Sequence, residues 1–142
     1  MTDAGFEKMV PSEKLLYGPR KLLLCGFPAQ SQSKFQMLLD MLGITELPLV
    51  WVVDNQSEEI LSALFAMHDG TGAGQSSSLP RAVVVGGLSQ EELHQLMGGC
   101  RQAGMQPALW AVLTPISEQW KLGALLKELA AEHEAMAQRG KR

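Results

Sequence analysis

The run Lys21-Leu22-Leu23-Leu24-Cys25-Gly26-Phe27 is written a second time as Ala82-Val83-Val84-Val85-Gly86-Gly87-Leu88: an apolar stretch, then glycine, then an apolar residue. Gly26 and Gly87 lie 87 − 26 = 61 positions apart, and the same offset relates Arg20 to Arg81 and Gly43 to Gly104. Leu22 to Cys25 and Val83 to Val85 are apolar at every position, so both faces of each strand are buried, as in a sheet covered by helices on two sides.

Outward from the first run, Pro28 ends the strand. Phe35, Leu38, Leu39 and Leu42 then recur at i, i+3, i+4 and i+7, one helical face, and Gly43 supplies the C-terminal stop. Pro48 to Val53 is a second strand. Asn55 and Glu58 stand at capping-box spacing before the apolar face Ile60, Leu61, Leu64 and Phe65. In the second copy Ser89-Gln90-Glu91-Glu92 is a capping box, Leu93, Leu96, Met97 and Cys100 face the core, and Gly104 ends the helix. Pro107 to Leu113 is the fourth strand. Thr114-Pro115 reads as N-cap and first turn of a last helix reaching about Ala137. With one two-residue gap after Gly43 and Gly104, Pro48-Leu49-Val50-Trp51 falls on Pro107-Ala108-Leu109-Trp110, which puts the two tryptophans in equivalent corners.

Two β-α-β-α copies joined by right-handed crossovers predict a three-layer α/β sandwich with a four-stranded, mainly parallel sheet of order 2-1-3-4. The alternative is a ferredoxin-like α+β sheet with added helices. The expected organisation is an arm over 1–19, with a short helix near Pro11 to Leu16, and one α/β domain over 20–138. Within it, copy one spans 20–68, a flexible Gly/Ser-rich linker 69–80 and copy two 81–138.

With 12 Lys+Arg against 15 Asp+Glu, the net charge of −3 offers no basic surface for a phosphate backbone, so nucleic acid is not an expected partner. The tail Arg139 to Arg142 reads as a solubilising terminus. No segment is long and apolar enough for a membrane span or a signal peptide, which predicts no membrane partner and a cytoplasmic location. Cys25 and Cys100 read as buried free thiols. His68, His94 and His133 stand at no ligand spacing, so neither a metal nor a cofactor is expected.

A two-fold along the strands would make the two glycine bends central neighbours and open a crevice at the carboxyl ends of the strands. Its expected lining is Gly26, Phe27, Pro28, Asp54, Asn55, Gly87, Leu88, Ser89 and Thr114. Backbone N–H groups at the helix starts would face an anion there, although Glu91 and Glu92 repel one and Ser89 is equally an ordinary cap. There is no G-x-G-x-x-G, no Walker lysine, and Ser31 stands where a cysteine phosphatase would carry arginine. The Gly70 to Gly74 run follows a helix, which makes it a linker by position. Trp120 is the candidate contact for a protein partner. The functional expectation is a non-catalytic module binding a small molecule or a protein, a homodimer included. The alternative is a small enzyme using Cys25, Asp54, Ser89 and Thr114 at the strand ends.

Pro107-Ala108-Leu109-Trp110-Ala111-Val112-Leu113-Thr114-Pro115, then Trp120, Leu125-Leu126-Lys127-Glu128-Leu129 and Glu132-His133, resembles an uncharacterised bacterial domain-of-unknown-function family (DUF3783-like). The resemblance covers roughly Arg81 to Met136 and departs in the first copy, where Trp120 and Glu132-His133 have no clear counterpart. It implies a domain and no known activity.

Overall fold

The computed structural model describes residues 14–140. The order is β1 (Lys21–Cys25), α1 (Ala29–Leu42), β2 (Leu49–Val52), α2 (Leu61–Phe65), β3 (Ala82–Gly86), α3 (Gln90–Gln102), β4 (Leu109–Val112) and α4 (Leu122–Gly140). The four strands form one sheet in the order β2-β1-β3-β4. β1 and β2 are parallel neighbours, as are β3 and β4. No strand is inserted between the members of either βαβ unit, which excludes the ferredoxin-like alternative.

The domain is three layers deep because the central strands of its sheet are apolar on both faces. Leu22, Leu24, Val83 and Val85 pack under α1 and α3 with Phe35, Leu38, Leu39 and Leu96. Leu23, Cys25, Ala82 and Val84 pack under α2 and α4 with Leu61, Leu64, Leu122 and Leu125.

The central pair corrects the expected symmetry. β1 and β3 are antiparallel, with Leu23 opposite Val84 and Lys21 opposite Gly86. Since 23 + 61 = 84, the residues at the centre of this pairing are themselves equivalent, so the two-fold passes between them, perpendicular to the sheet. The cause is the stretch from 69 to 80. Leaving α2, the chain reaches the amino end of β2, where Asp69 accepts from the Leu49 amide at 2.9 Å. It then runs back along the outer edge of β2: Gly70 N–H donates to the Leu49 carbonyl and Trp51 N–H to the Thr71 carbonyl, both at 2.8 Å. Gln32 next holds Gly74 and Gln75, and Ser76 Oγ accepts from the Ala29 amide. The chain therefore enters β3 at the carboxyl end of β1 and must run the other way. The predicted flexible linker is instead a docked segment that closes one sheet edge.

The offset of 61 persists without a gap. Leu49 stands beside Leu22, and Trp110 beside Val83, the counterpart of Leu22. Trp110 is thus equivalent to Leu49, and Trp51 to Val112. The shared Pro-x-x-Trp spacing is coincidental, because strand pairing sets the register and a two-residue shift would break the match to β1 and β3. On the far face, Leu61 N–H donates to the Trp120 carbonyl and Leu122 N–H to the Glu59 carbonyl, both at 2.9 Å. Those reciprocal bonds keep residues 59–60 and 120–121 extended and delay both helices. This is why Asn55, expected as a helix cap, lies inside a helical turn of three residues, Asp54–Gln56, with Glu58 beyond it, and Thr114–Pro115 precedes a second such turn, Ser117–Gln119. The Ser89–Glu92 capping box forms as expected, at 3.0 and 3.1 Å. Gly43 and Gly104 take the left-handed conformation at φ 75° and 73°.

Of the expected arm, Lys14 to Pro19 is described. Leu15 bridges Ser89, and Leu16 N–H donates to the Leu88 carbonyl. Most of the short helix expected near Pro11 to Leu16 lies outside the described residues. Among those described, no helix is long and apolar enough to cross a membrane.

Candidate functional site

Antiparallel central strands send the two glycine bends to opposite ends of the molecule. Gly26, Phe27, Pro28, Asp54 and Asn55 gather at the end where β3 begins. Gly87, Leu88, Ser89 and Thr114 gather at the other, beside Pro19 and Arg20. The single crevice expected to hold all nine does not form. Each bend instead clasps the other copy's first strand: a Cβ on Gly26 would stand 2.8 Å from the Arg81 backbone nitrogen, and one on Gly87 2.5 Å from that of Arg20.

Several polar groups at these ends have structural partners. Asp54 accepts from the Ser77 hydroxyl at 3.0 Å and the Ser78 amide at 2.8 Å, and from the Ser78 hydroxyl. The Ser78 hydroxyl is the chief reason its carboxyl is held below the ordinary range. Ser89 caps α3, and Thr114 accepts from the Ser117 amide at 2.9 Å. Cys25 is fully buried and its thiol is pushed up to about 12 by burial, so it stays protonated near neutral pH. Trp120 is 37% exposed.

The largest contrast between the copies lies between α1, α3 and the sheet. In copy one Leu22, Leu39, Ile44 and Leu49 are all buried. Adding 61 to each gives Val83, Cys100, Met105 and Trp110, and Leu47 becomes Ala108. Three leucines are thus replaced by Val83, Cys100 and Ala108, while Leu88, Leu96 and Leu49 correspond to the larger Phe27, Phe35 and Trp110. The aromatic rings stand as walls around the space that the smaller residues leave. The result is a cavity of about 440 Å³, with Met97 and Met105 completing its apolar lining. Cys100, Met105 and Trp110 are accordingly half-buried where their counterparts are buried. Phe27, Phe35 and Trp51 brace the wall edge-to-face, with ring centroids 5.5 to 6.1 Å apart.

The two equivalent arginines differ as sharply. Arg20 makes a bidentate pair with Glu92, both bonds 2.9 Å, and donates to the carbonyls of Glu46 and Thr45. The hydrogen bond to Glu92 raises its pKa. The counterpart of Glu92 is Ser31, so Arg81 has no such carboxylate. It is 9% exposed, its guanidinium carbon lies 4.2 Å above the Phe27 ring, and Nε donates to the Gly26 carbonyl at 3.0 Å. Among the described residues neither of its terminal nitrogens has an acceptor, and burial pulls its pKa down. Arg81, Arg101 and Gln106 are the polar side chains of the cavity lining, and no lining residue carries a carboxylate. A shallower hollow of about 510 Å³ shares Arg81, Gln106 and Ala108 and has His133 and Glu134 on its α4 wall.

Of the nine residues expected to line a crevice, only Phe27 lines the cavity. Arg81 and Trp110 enter it from repeat positions, and Cys100 from a helical face patterned for the core. The signal that finds the cavity is the substitution pattern between the copies at a constant offset.

Fold and site define an α/β domain with a four-stranded mixed sheet of order 2-1-3-4, built as two β-α-β-α units at a constant offset of 61, one filled by leucines and one hollowed beside Arg81. Residues 81–136, the hollowed half, match the model of a family described as a domain of unknown function, DUF3783. No curated protein and no solved structure matches the chain.

Proposed function

We propose that the protein is a non-catalytic module that binds a small molecule in the cavity between α1, α3 and the sheet. The observation that carries this reading is the contrast between the halves: the same backbone is filled by Leu22, Leu39 and Leu47 in one copy and left open by Val83, Cys100 and Ala108 in the other. A volume of about 440 Å³ with mostly apolar walls and a few converging polar groups is typical of a small-ligand site. The non-catalytic part of the reading is supported by the uses found for the expected reactive groups: Cys25 is a protonated core thiol, and Asp54, Ser89 and Thr114 hold loops and turns.

The test is a panel of neutral, cationic and anionic aromatic fragments titrated into methyl-labelled protein. Some members should shift the methyl resonances of Val83, Met97 and Met105. Ala108→Leu, which restores the residue of the packed half, should abolish those shifts while the protein stays folded. A panel that leaves these methyls unmoved, or shifts that survive in A108L, would refute the reading.

A further inference from the structure

Resting on that reading, we propose that the cavity takes a small carboxylate with an apolar body, its head group held by Arg81 and its body between Phe27, Met97 and Trp110. Three observations converge on this class. First, Arg81 borders the cavity with Nε bonded to the Gly26 carbonyl, while its two terminal nitrogens have no acceptor among the described residues and are not sealed from solvent, so they are open to one from a ligand. Open guanidinium donors beside an apolar cavity suit a planar carboxylate. Second, the fold itself displays the acceptor this position is built to face. At the equivalent site Arg20 holds the two carboxylate oxygens of Glu92, and the second copy has Ser31 where that carboxylate would stand. A ligand carboxylate at Arg81 would restore in one half the pairing the other half makes internally, in the bidentate geometry that suits guanidinium. Third, the surroundings select against other heads. The lining has a second arginine, Arg101, and no carboxylate to receive an amine. The glycine bends are occupied by backbone from the opposite copy, so they offer no cradle for a phosphate chain.

The apolar body follows from the rest of the lining. Aromatic rings and two methionines suit a planar or branched hydrocarbon group, with the thioethers adapting to its outline.

The experiment compares 2-naphthoate with 2-naphthamide, two probes of matched shape that differ in charge, by titration into the full chain with Val83 and Met97 methyl and Trp110 indole resonances as readout. The carboxylate should bind at least ten-fold more tightly than the amide. Arg81→Gln should bring the two affinities together, and Arg81→Lys should keep part of the preference. The comparison in the unaltered protein needs no variant, so it decides the head-group question even if R81Q does not fold. Equal affinities, or tighter binding of 2-naphthylmethylamine, would overturn the carboxylate inference and leave the cavity reading standing. A preference that survives intact in folded R81Q would overturn the assignment to Arg81. Failure of every probe to move the cavity resonances would overturn both readings.

Discussion

Replacing Glu92 by glutamine isolates the charge that joins the two copies. Glu92 makes two bonds of 2.9 Å to Arg20 and one of 3.1 Å to the Ser89 amide. Glutamine keeps a side-chain acceptor for that amide, so the α3 cap survives and the guanidinium loses its counter-ion. Both partners are partly exposed, at 33% and 25% of their side-chain surface, which places the pair above a typical surface ion pair and well below a dry one. Arg20 also retains the Glu46 and Thr45 carbonyls. The loss should be about 1 kcal/mol at pH 7. At a urea dependence of about 1.5 kcal/mol per molar, the midpoint falls by about 0.7 M. Glu92→Ala removes the cap as well and should cost about 1 kcal/mol more. The sign with pH is fixed by Arg20, whose hydrogen bond holds the Glu92 carboxyl below its ordinary value. The stabilisation is therefore complete above the unfolded carboxylate pKa of about 4.3 and fades as pH falls through the lower folded value. Urea unfolding followed by circular dichroism, at pH 7 and at successively lower pH, tests both parts. Equal midpoints at pH 7, or a gap that does not close toward acid, would refute the reasoning.

Two further measurements probe the frame and the cavity. Gly87 and Gly43 have nearly the same φ, 70° and 75°, but a Cβ at Gly87 meets the Arg20 backbone and one at Gly43 meets open space. Gly43→Ala should cost about 1 kcal/mol, and Gly87→Ala about 3 kcal/mol or more; equal losses in thermal melts would show that the clasp between the copies is not tight. A thiol reagent should modify Cys100 in the folded protein and reach Cys25 only on unfolding, because Cys25 is sealed in the core and Cys100 lines the cavity. Rapid native modification of Cys25, resolved by peptide mapping, would contradict this.

The strands, their order and the doubling were legible because apolar runs and glycine stops are local signals. The direction of β3 relative to β1 was not. A strand buried on both faces carries the same pattern whichever way it runs, and the reversal is made by 69–80, a stretch whose composition says only that it can bend. Trp51 and Trp110 are a false landmark: large, rare residues draw an alignment toward themselves, whereas register is decided by the ordinary leucines and valines beside them. The cavity was legible in principle. It needed the copies laid out at a constant 61, so that each missing methyl group in one half could be read against its presence in the other.

The antiparallel seam has a consequence for any chain built from a single such unit. Severed from its twin, β3 would present both a bare hydrogen-bonding edge and the unclasped bend at Gly87 to water. Two copies of the isolated unit could heal those wounds in each other by the same rotation about Leu23 and Val84 that relates the halves here. Joining both units in one chain covers that edge and that bend without a second molecule.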